Sequence, residues 1–233
     1  MPMAASGHRF DSTLRLRYRK FRRRRPDAFP HGRRAQPGVE WLIGVDEAGR
    51  GPWAGPLVVA AVRLGCRVPR CLLAARDSKL LSPSRREALC DAIRARAAAV
   101  SVAWAQAAEI DGTDVLAATL AAMGRAARRA ACAVPAEQCL VVVDGNRRIP
   151  GLPLEQLTVV GGDRLSLAVS CASIVAKVVR DRWLGQLDRR YPGYGLARHK
   201  GYGTAEHREA LERLGPARVH RFTFAPVRRL IPA

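Results

Sequence analysis

The sequence predicts an α/β protein: one mixed central β-sheet flanked by helices, with a helical extension at the C-terminus. Three observations predict it. Short apolar runs with the length of buried strands recur along the chain, most of them stopped by a glycine or an acid. Between and after them stand Ala-, Leu- and Arg-rich stretches with helical spacing. With 233 residues and 48% hydrophobic content, the chain can bury one sizeable core, which excludes a wholly disordered protein and favours one domain with appendages over two full domains.

The elements follow in order. Residues 1–36 hold 11 basic and two acidic residues, lack a sustained apolar period and contain Pro26 and Pro30, so they read as a disordered basic tail. An Arg-rich, acid-poor N-terminus also fits an organellar transit peptide, although no amphipathic period accompanies it. Residues 37–190 read as the main domain. Trp41 to Val45 is a buried strand stopping at Asp46; Gly49, Gly51 and Pro52 turn the chain, and Leu57 to Val62 is its hairpin partner. Ser82 and Pro83 suit the cap and first turn of a helix running to about Ala97. Val100 to Trp104 is a third strand, and Ala117 to Ala133 a helix. Leu140 to Val143 is a buried strand stopping at Asp144, and Leu157 to Val160 another, ending in Gly161-Gly162-Asp163. Leu165 to Leu187 has the spacing of a long helix. Tyr191-Pro-Gly-Tyr-Gly195 breaks it and opens the extension over 191–233, where Thr204 to Leu214 is a helix closed by Gly215-Pro216.

The six cysteines show no CxxC spacing and most lie in apolar runs, as reduced, buried thiols of a cytoplasmic protein do. The longest apolar run, Pro52 to Val62, stops at Arg63, far short of the roughly 20 residues a membrane span requires. The 40 Lys+Arg outnumber the 20 Asp+Glu, and a net +20 points to a polyanionic partner such as nucleic acid or an anionic membrane surface. Only four of the basic residues are Lys. Such a bias also follows from genome composition, so the raw charge is discounted.

The informative pattern is where the acids fall. Three strands stop at carboxylates with glycine within two residues: Asp46-Glu47, Asp144-Gly145 and Gly162-Asp163. Neighbouring strand ends converge on one sheet edge, where α/β folds place their sites. Four carboxylates within about 5 Å repel by roughly 3 kcal/mol per pair at an effective dielectric near 20. Divalent cations offset that repulsion, and all-oxygen ligands select Mg²⁺ or Mn²⁺. Two such ions in a basic protein suggest in-line hydrolysis of a phosphodiester. Acids also end strands simply as turn residues. Three together, each close to glycine in a basic chain, favour the functional reading. Asp46 and Glu47 are adjacent, so both reach one site only if the strand ends there or one contributes its carbonyl. Gly49-Arg50-Gly51 adds backbone donors with no side chain at its glycines, suited to a phosphate or a ribose 2′-hydroxyl. A dinucleotide-binding turn is excluded by the missing GxGxxG and by Pro52. His199, His207 and His220 fit no zinc motif and read as helix-surface or capping residues, and the four tryptophans as core.

Gly44-Val-Asp-Glu-Ala-Gly-Arg-Gly-Pro-Trp-Ala-Gly-Pro56 resembles the opening motif of bacterial ribonuclease HII, the type 2 RNase H. Further matches follow in order: Asp77-Ser-Lys79, Glu109-Ile-Asp111, Val143-Asp-Gly-Asn-Arg147, Gly162-Asp163, Ala172 to Val178 with Arg180-Asp181, Tyr191 to Gly195, His199 to Thr204 and His220 to Val227. Together they cover about residues 40–230. The resemblance implies an RNase H-like fold. It implies cleavage of the RNA strand in RNA–DNA hybrid duplexes, and at single ribonucleotides embedded in DNA, leaving 5′-phosphate and 3′-hydroxyl ends. The implied roles are ribonucleotide removal and RNA primer removal, performed by a cytoplasmic monomer. The four catalytic acids and ligands of two Mn²⁺ or Mg²⁺ ions carry over onto Asp46, Glu47, Asp144 and Asp163. By the same resemblance Gly49, Arg50 and Gly51 read the 2′-hydroxyl, and Tyr202 stacks on the sugar 3′ to the cut. Lys79, Lys177 and Arg180 are candidate phosphate contacts. Two departures stand out: Gly161 where Lys often precedes the fourth acid, and Asp114 where Asn is usual. A non-catalytic nucleic-acid binder is the rival from another class, but it gains nothing from clustered carboxylates. A type 3 RNase H is disfavoured by the Gly-Arg-Gly turn and the His-Lys-Gly-Tyr segment.

Overall fold

The apolar runs pair into a five-stranded sheet whose middle strand is the first in the chain. In the computed structural model, which describes residues 8–16, 38–77 and 81–231, the strands are β1 (Trp41–Ala48), β2 (Leu57–Leu64), β3 (Ala99–Ala105), β4 (Cys139–Asp144) and β5 (Glu155–Val159). Their order is β3-β2-β1-β4-β5. β1, β2 and β3 form an antiparallel meander, while β4 joins β1 and β5 joins β4 in parallel. The helices are α1 (residues 8–16), α2 (Pro83–Arg96), α3 (Ala107–Asp111), α4 (Val115–Ala130), α5 (Gly162–Leu165), α6 (Leu167–Arg190), α7 (Leu196–His199), α8 (Ala205–Leu214) and α9 (Ala225–Arg228).

Strand alternation splits the core into two layers. Leu42, Ala60, Val62, Leu140 and Val142 face α6, whose residues from Leu167 to Val178 complete that layer. Ile43, Val45, Val59, Ala61, Val141 and Val143 face α4. α6 crosses β1 so closely that a Cβ on Gly44 would lie 2.0 Å from the Ala168 carbonyl carbon, and this contact demands glycine. A third cluster under α6 to α9 holds Ala54, Leu184, Leu196, Leu211 and Val227.

Side-chain caps explain the starts of α2, α4, α6 and α8. Ser82 Oγ accepts from Arg85 N–H at 3.4 Å with Pro83 at the first turn, and Ser166 Oγ accepts from Val169 N–H at 3.4 Å. Asp114, the departure from the family's Asn, is the N-cap of α4: one carboxylate oxygen accepts from Leu116 N–H at 2.7 Å and Ala117 N–H at 2.8 Å. Asp caps as well as Asn does, so the substitution preserves the helix start.

Several expectations are corrected. The predicted structureless tail contains a docked helix, α1. The Asp11 carboxylate accepts from Ala168 N–H at 3.2 Å, at the N-terminus of α6. The Arg15 guanidinium donates to the Leu64 and Gly65 carbonyls at 2.9 and 3.0 Å and also to that of Glu40. Residues 1–7 and 17–37, Arg22 to Arg25 among them, lie outside the described residues. All six cysteines are free thiols; Cys90, Cys139 and Cys171 are buried, whereas Cys66, Cys71 and Cys132 are exposed, Cys71 in a short 3-10 helix (Arg70–Asp77). Trp104 is 41% exposed and packs edge-on against Trp183, because its strand lies at the sheet edge. His199, His207 and His220 are buried together instead of lying on a helix surface.

Candidate active site

Parallel register brings the first acids together. Val45 stands opposite Val143, so Asp46 and Asp144 follow side by side where the pairing of β1 with β4 stops. Asp46 shares the α6 side with Leu42, and Asp144 shares it with Leu140 and Val142. Asp163 arrives from α5 and not from a strand end, which corrects the predicted position. Gly161 takes φ +68° after β5, and Gly162 N–H donates to Asp144 Oδ1 at 2.6 Å. Ser170 Oγ, on α6, donates to the Asp163 carbonyl at 2.5 Å and so ties α5 to the long helix.

Glu47 follows Asp46 on a strand that does not end there. β1 pairs with β2 through Ala48, while its pairing with β4 stops at Val45. Alternation therefore turns Glu47 toward the α4 side, and it lines hollows on both sides of the sheet edge. One, of about 290 Å³, lies between Glu47, Gly49, Ser173, Lys177, Arg180 and Tyr202. The other, of about 240 Å³, lies between Glu47, Arg50, Asp144, Asn146 and Arg147.

The acids are electrostatically strained. Burial, then the charges of Glu47 and Asp144, push the Asp46 carboxyl well above the usual range, against the opposing Glu47 N–H at 2.7 Å and the Ser173 hydroxyl. Burial raises Glu47, with Arg50 at 3.5 Å opposing and Asp144 adding. Burial also raises Asp144, the Gly162 N–H opposing and Asp163 adding. Among the described residues no three acid, imidazole or thiol groups close into a ready cage. The set nevertheless fits hard divalent cations: its donors are oxygens, and its strain is one that positive charge relieves.

The other predicted residues sit around this edge. Gly49 adopts φ +98°, and a Cβ there would lie 2.1 Å from Arg180 Nε. Arg180 lines the first hollow but is buried, donating to the Pro56 and Ala54 carbonyls at 3.0 and 3.3 Å. Lys177 pairs with Asp181 at 2.9 Å, and Tyr202 is 49% exposed at the rim. Lys79 lies outside the described residues. Sequence reasoning missed Ser173 as a partner of Asp46, although it stands inside a quoted motif. It also missed Arg221, which donates to the Gly49, Arg50 and Gly55 carbonyls, and Asp111, which accepts from Phe222 and Thr223 N–H. No charge pattern or spacing marks an arginine as buried.

The family model described as Ribonuclease HII matches residues 43–227. The chain belongs to the ribonuclease HII family. Ribonuclease HII of Halorhodospira halophila is 50% identical over 194 residues, covering 83% of this chain and 96% of that protein. Ribonuclease HII of Acaryochloris marina is 49% identical, covering 80% and 93%. Ribonuclease H2 of Pyrococcus horikoshii OT3 superposes with a TM-score of 0.66 at 27% identity, covering 82% of this chain and 96% of that one. The RNase HII family is one of metal-dependent ribonuclease H enzymes, and membership implies endonuclease activity on RNA–DNA hybrids. Helix α1 lies outside the matched region. No helix among the described residues is long and apolar enough to cross a membrane.

Proposed function

We propose that this member of the family cleaves the RNA strand of RNA–DNA hybrids and the bond at single ribonucleotides embedded in duplex DNA. It leaves 5′-phosphate and 3′-hydroxyl ends and serves ribonucleotide and primer removal as a cytoplasmic monomer. Asp46, Glu47, Asp144 and Asp163 hold two Mn²⁺ or Mg²⁺ ions. Bound there, such ions supply Lewis-acid chemistry, making a nucleophile of water at neutral pH and stabilising the leaving oxygen.

The residues of the chain do the positioning. Glu47 N–H and the Ser173 hydroxyl orient the Asp46 carboxylate, and Gly162 N–H orients that of Asp144. Gly49, Arg50 and Gly51 face the ribose, with their amides as donors to the 2′-hydroxyl. Tyr202, exposed at the rim of the same hollow, stacks on the sugar beyond the cut. Lys177 contacts a phosphate. Arg180 serves the loop instead, because its guanidinium is already bonded to two carbonyls.

The observation that carries the reading is the convergence of Asp46 and Asp144 on one side of one sheet edge, each raised first by burial and further by the charge of a neighbouring acid. The test is a DNA duplex containing one ribonucleotide, incubated with Mg²⁺, Mn²⁺ or excess EDTA. Cleavage 5′ to the ribonucleotide with either ion and none in EDTA is expected. Asp144→Asn keeps duplex binding and loses cleavage by orders of magnitude. Undiminished turnover in EDTA refutes the metal reading.

A further inference from the structure

Arg221 is fully buried, and its side chain is spent on one loop. Nη1 donates to the Arg50 carbonyl at 2.7 Å, and Nη2 to the Gly49 and Gly55 carbonyls at 2.5 and 3.1 Å. The guanidinium lies 5.2 Å from the centre of the Phe224 ring, and the Arg221 main-chain N–H donates to the Trp53 carbonyl at 2.8 Å. The segment bearing Arg221 is itself clamped. Asp111, at the end of α3, accepts from Phe222 N–H at 2.8 Å, Thr223 N–H at 3.0 Å and the Thr223 hydroxyl at 2.6 Å.

A second buried arginine, Arg180, holds the Ala54 and Pro56 carbonyls of the same loop. Burial and the charge of Arg180 bring Arg221 down to about 10, and Arg221 Nε has no partner among the described residues. Burying two guanidiniums is costly, and apolar packing could fill the space with less penalty. What a guanidinium fork supplies, and an apolar side chain or a lysine cannot, is fixed directionality toward several carbonyls at once.

That directionality has a consequence at the site. The loop peptides are trans, and in a trans peptide the carbonyl and the N–H that follows it point in opposite directions. Holding the Gly49 and Arg50 carbonyls against Arg221 therefore turns the N–H groups of Arg50 and Gly51 away from the core. We infer that Arg221 is a positioning residue for ribose discrimination: by fixing two peptide planes it aims the Arg50 and Gly51 amides at the 2′-hydroxyl, with Asp111 clamping the turn that carries it. The inference rests on the reading that Gly49-Arg50-Gly51 faces the ribose.

The test compares binding by cleavage-silent Asp144→Asn protein, with and without Arg221→Lys, in Mg²⁺. The probes are a DNA duplex with one ribonucleotide and the same duplex made wholly of DNA. Lysine keeps the charge and loses the fork. The expected result is a fall of about tenfold in the ribose preference, with all-DNA affinity within about twofold of the parent. A merely structural role moves both affinities together, and equal losses on the two duplexes overturn the inference. So does a full ribose preference in Arg221→Lys when the parent shows one. A parent with no ribose preference overturns the reading of the loop and this inference with it. If Arg221→Lys does not fold, Asp111→Asn, which leaves the fork in place and weakens its clamp, lowers the same ratio by about threefold. An unchanged ratio in that variant, melting as the parent does, overturns the inference equally.

Discussion

Acidification should destabilise this protein through two fully buried histidines, His207 and His220, which pack beside His199. His199 Nε2 donates to the Tyr194 carbonyl at 2.7 Å, and its Nδ1 accepts from Gly201 N–H at 3.2 Å. His207 Nδ1 donates to the Tyr202 carbonyl at 2.9 Å, which leaves its Nε2 to accept from His220 Nε2–H at 3.2 Å. His220 Nδ1 in turn accepts from Ala217 N–H at 3.0 Å. Every ring nitrogen then has a hydrogen-bond partner, and a proton added to His207 sets donor against donor. The rings of His199 and His207 stack at 4.3 Å, and Trp53 and Tyr194 close the cluster. Burial holds His207 and His220 down at about 4, with the other imidazoles adding to the effect. Because the folded values are depressed, the unfolded chain binds the protons more tightly. Stability is present above about pH 6.5 and is lost as pH falls toward 4. At pH 5 an ordinary histidine is almost wholly protonated and one held at about 4 is about a tenth protonated, which costs about 2 kcal/mol per ring. Asp46, Glu47 and Asp144 are raised and so gain stability over the same interval, which makes the wild-type curve alone ambiguous. His220→Gln isolates the histidine contribution: the amide keeps a donor for His207 Nε2 and does not titrate. Urea unfolding followed by circular dichroism in EDTA, at pH 7 and pH 5, is the assay. The stability change on acidification should be about 2 kcal/mol more favourable in the variant than in wild type. Parallel pH curves refute the reasoning.

Three further outcomes are expected. Gly44→Ala drives a methyl group into the backbone of α6 and should cost about 3 kcal/mol, read as a shift in urea midpoint; a loss under about 1 kcal/mol refutes the close crossing. Burial raises Asp11 to about 6, so its carboxyl favours folding below about pH 3.8 and loses that advantage as pH rises through 6. Acidification from pH 7 to pH 5 should therefore stabilise wild type over Asp11→Asn by about 1 kcal/mol, opposite in sign to the histidines; a flat difference across that interval shows that α1 is not docked through Asp11. Tyr202→Ala should reduce cleavage of single-ribonucleotide duplexes several-fold more than that of long hybrids, compared as kcat/KM, and equal losses refute stacking at the junction.

What could be read in advance divides along the physics. The strands were legible because buried sheet residues make unbroken apolar runs, and β1, β2 and β4 fall where Trp41 to Val45, Leu57 to Val62 and Leu140 to Val143 place them. Register then converts strand ends into neighbours, which is why Asp46 and Asp144 meet. Asp163 was found for an incomplete reason. Its approach depends on the left-handed Gly161 and on the Gly162 bond to Asp144, and neither leaves a period in the sequence. Glu47 was legible as an acid but not as one on the opposite side of the sheet from Asp46, because the two edges of β1 stop pairing at different residues. Helices α3, α5, α7 and α9, each of four or five residues, are too short to show amphipathic spacing and are held by tertiary contacts.

The arginines give the strongest reason to distrust charge arithmetic in this chain. Arg15, Arg63, Arg180 and Arg221 each bond backbone carbonyls from distant segments, and the last three are buried. Arg63 reaches Cys132 at 3.0 Å, Arg15 reaches Leu64 and Gly65, and Arg180 with Arg221 braces the loop from Gly49 to Pro56. These four cations count toward the net +20 yet are committed to the protein itself, so the surplus overstates the footprint available to a polyanion. A lysine at the same positions would keep the arithmetic and lose the function, since one ammonium cannot span carbonyls whose relative orientation is the thing being held. Arg-for-Lys bias in this chain is therefore partly architectural: it supplies struts that tie distant backbone segments together and brace the loop from Gly49 to Pro56.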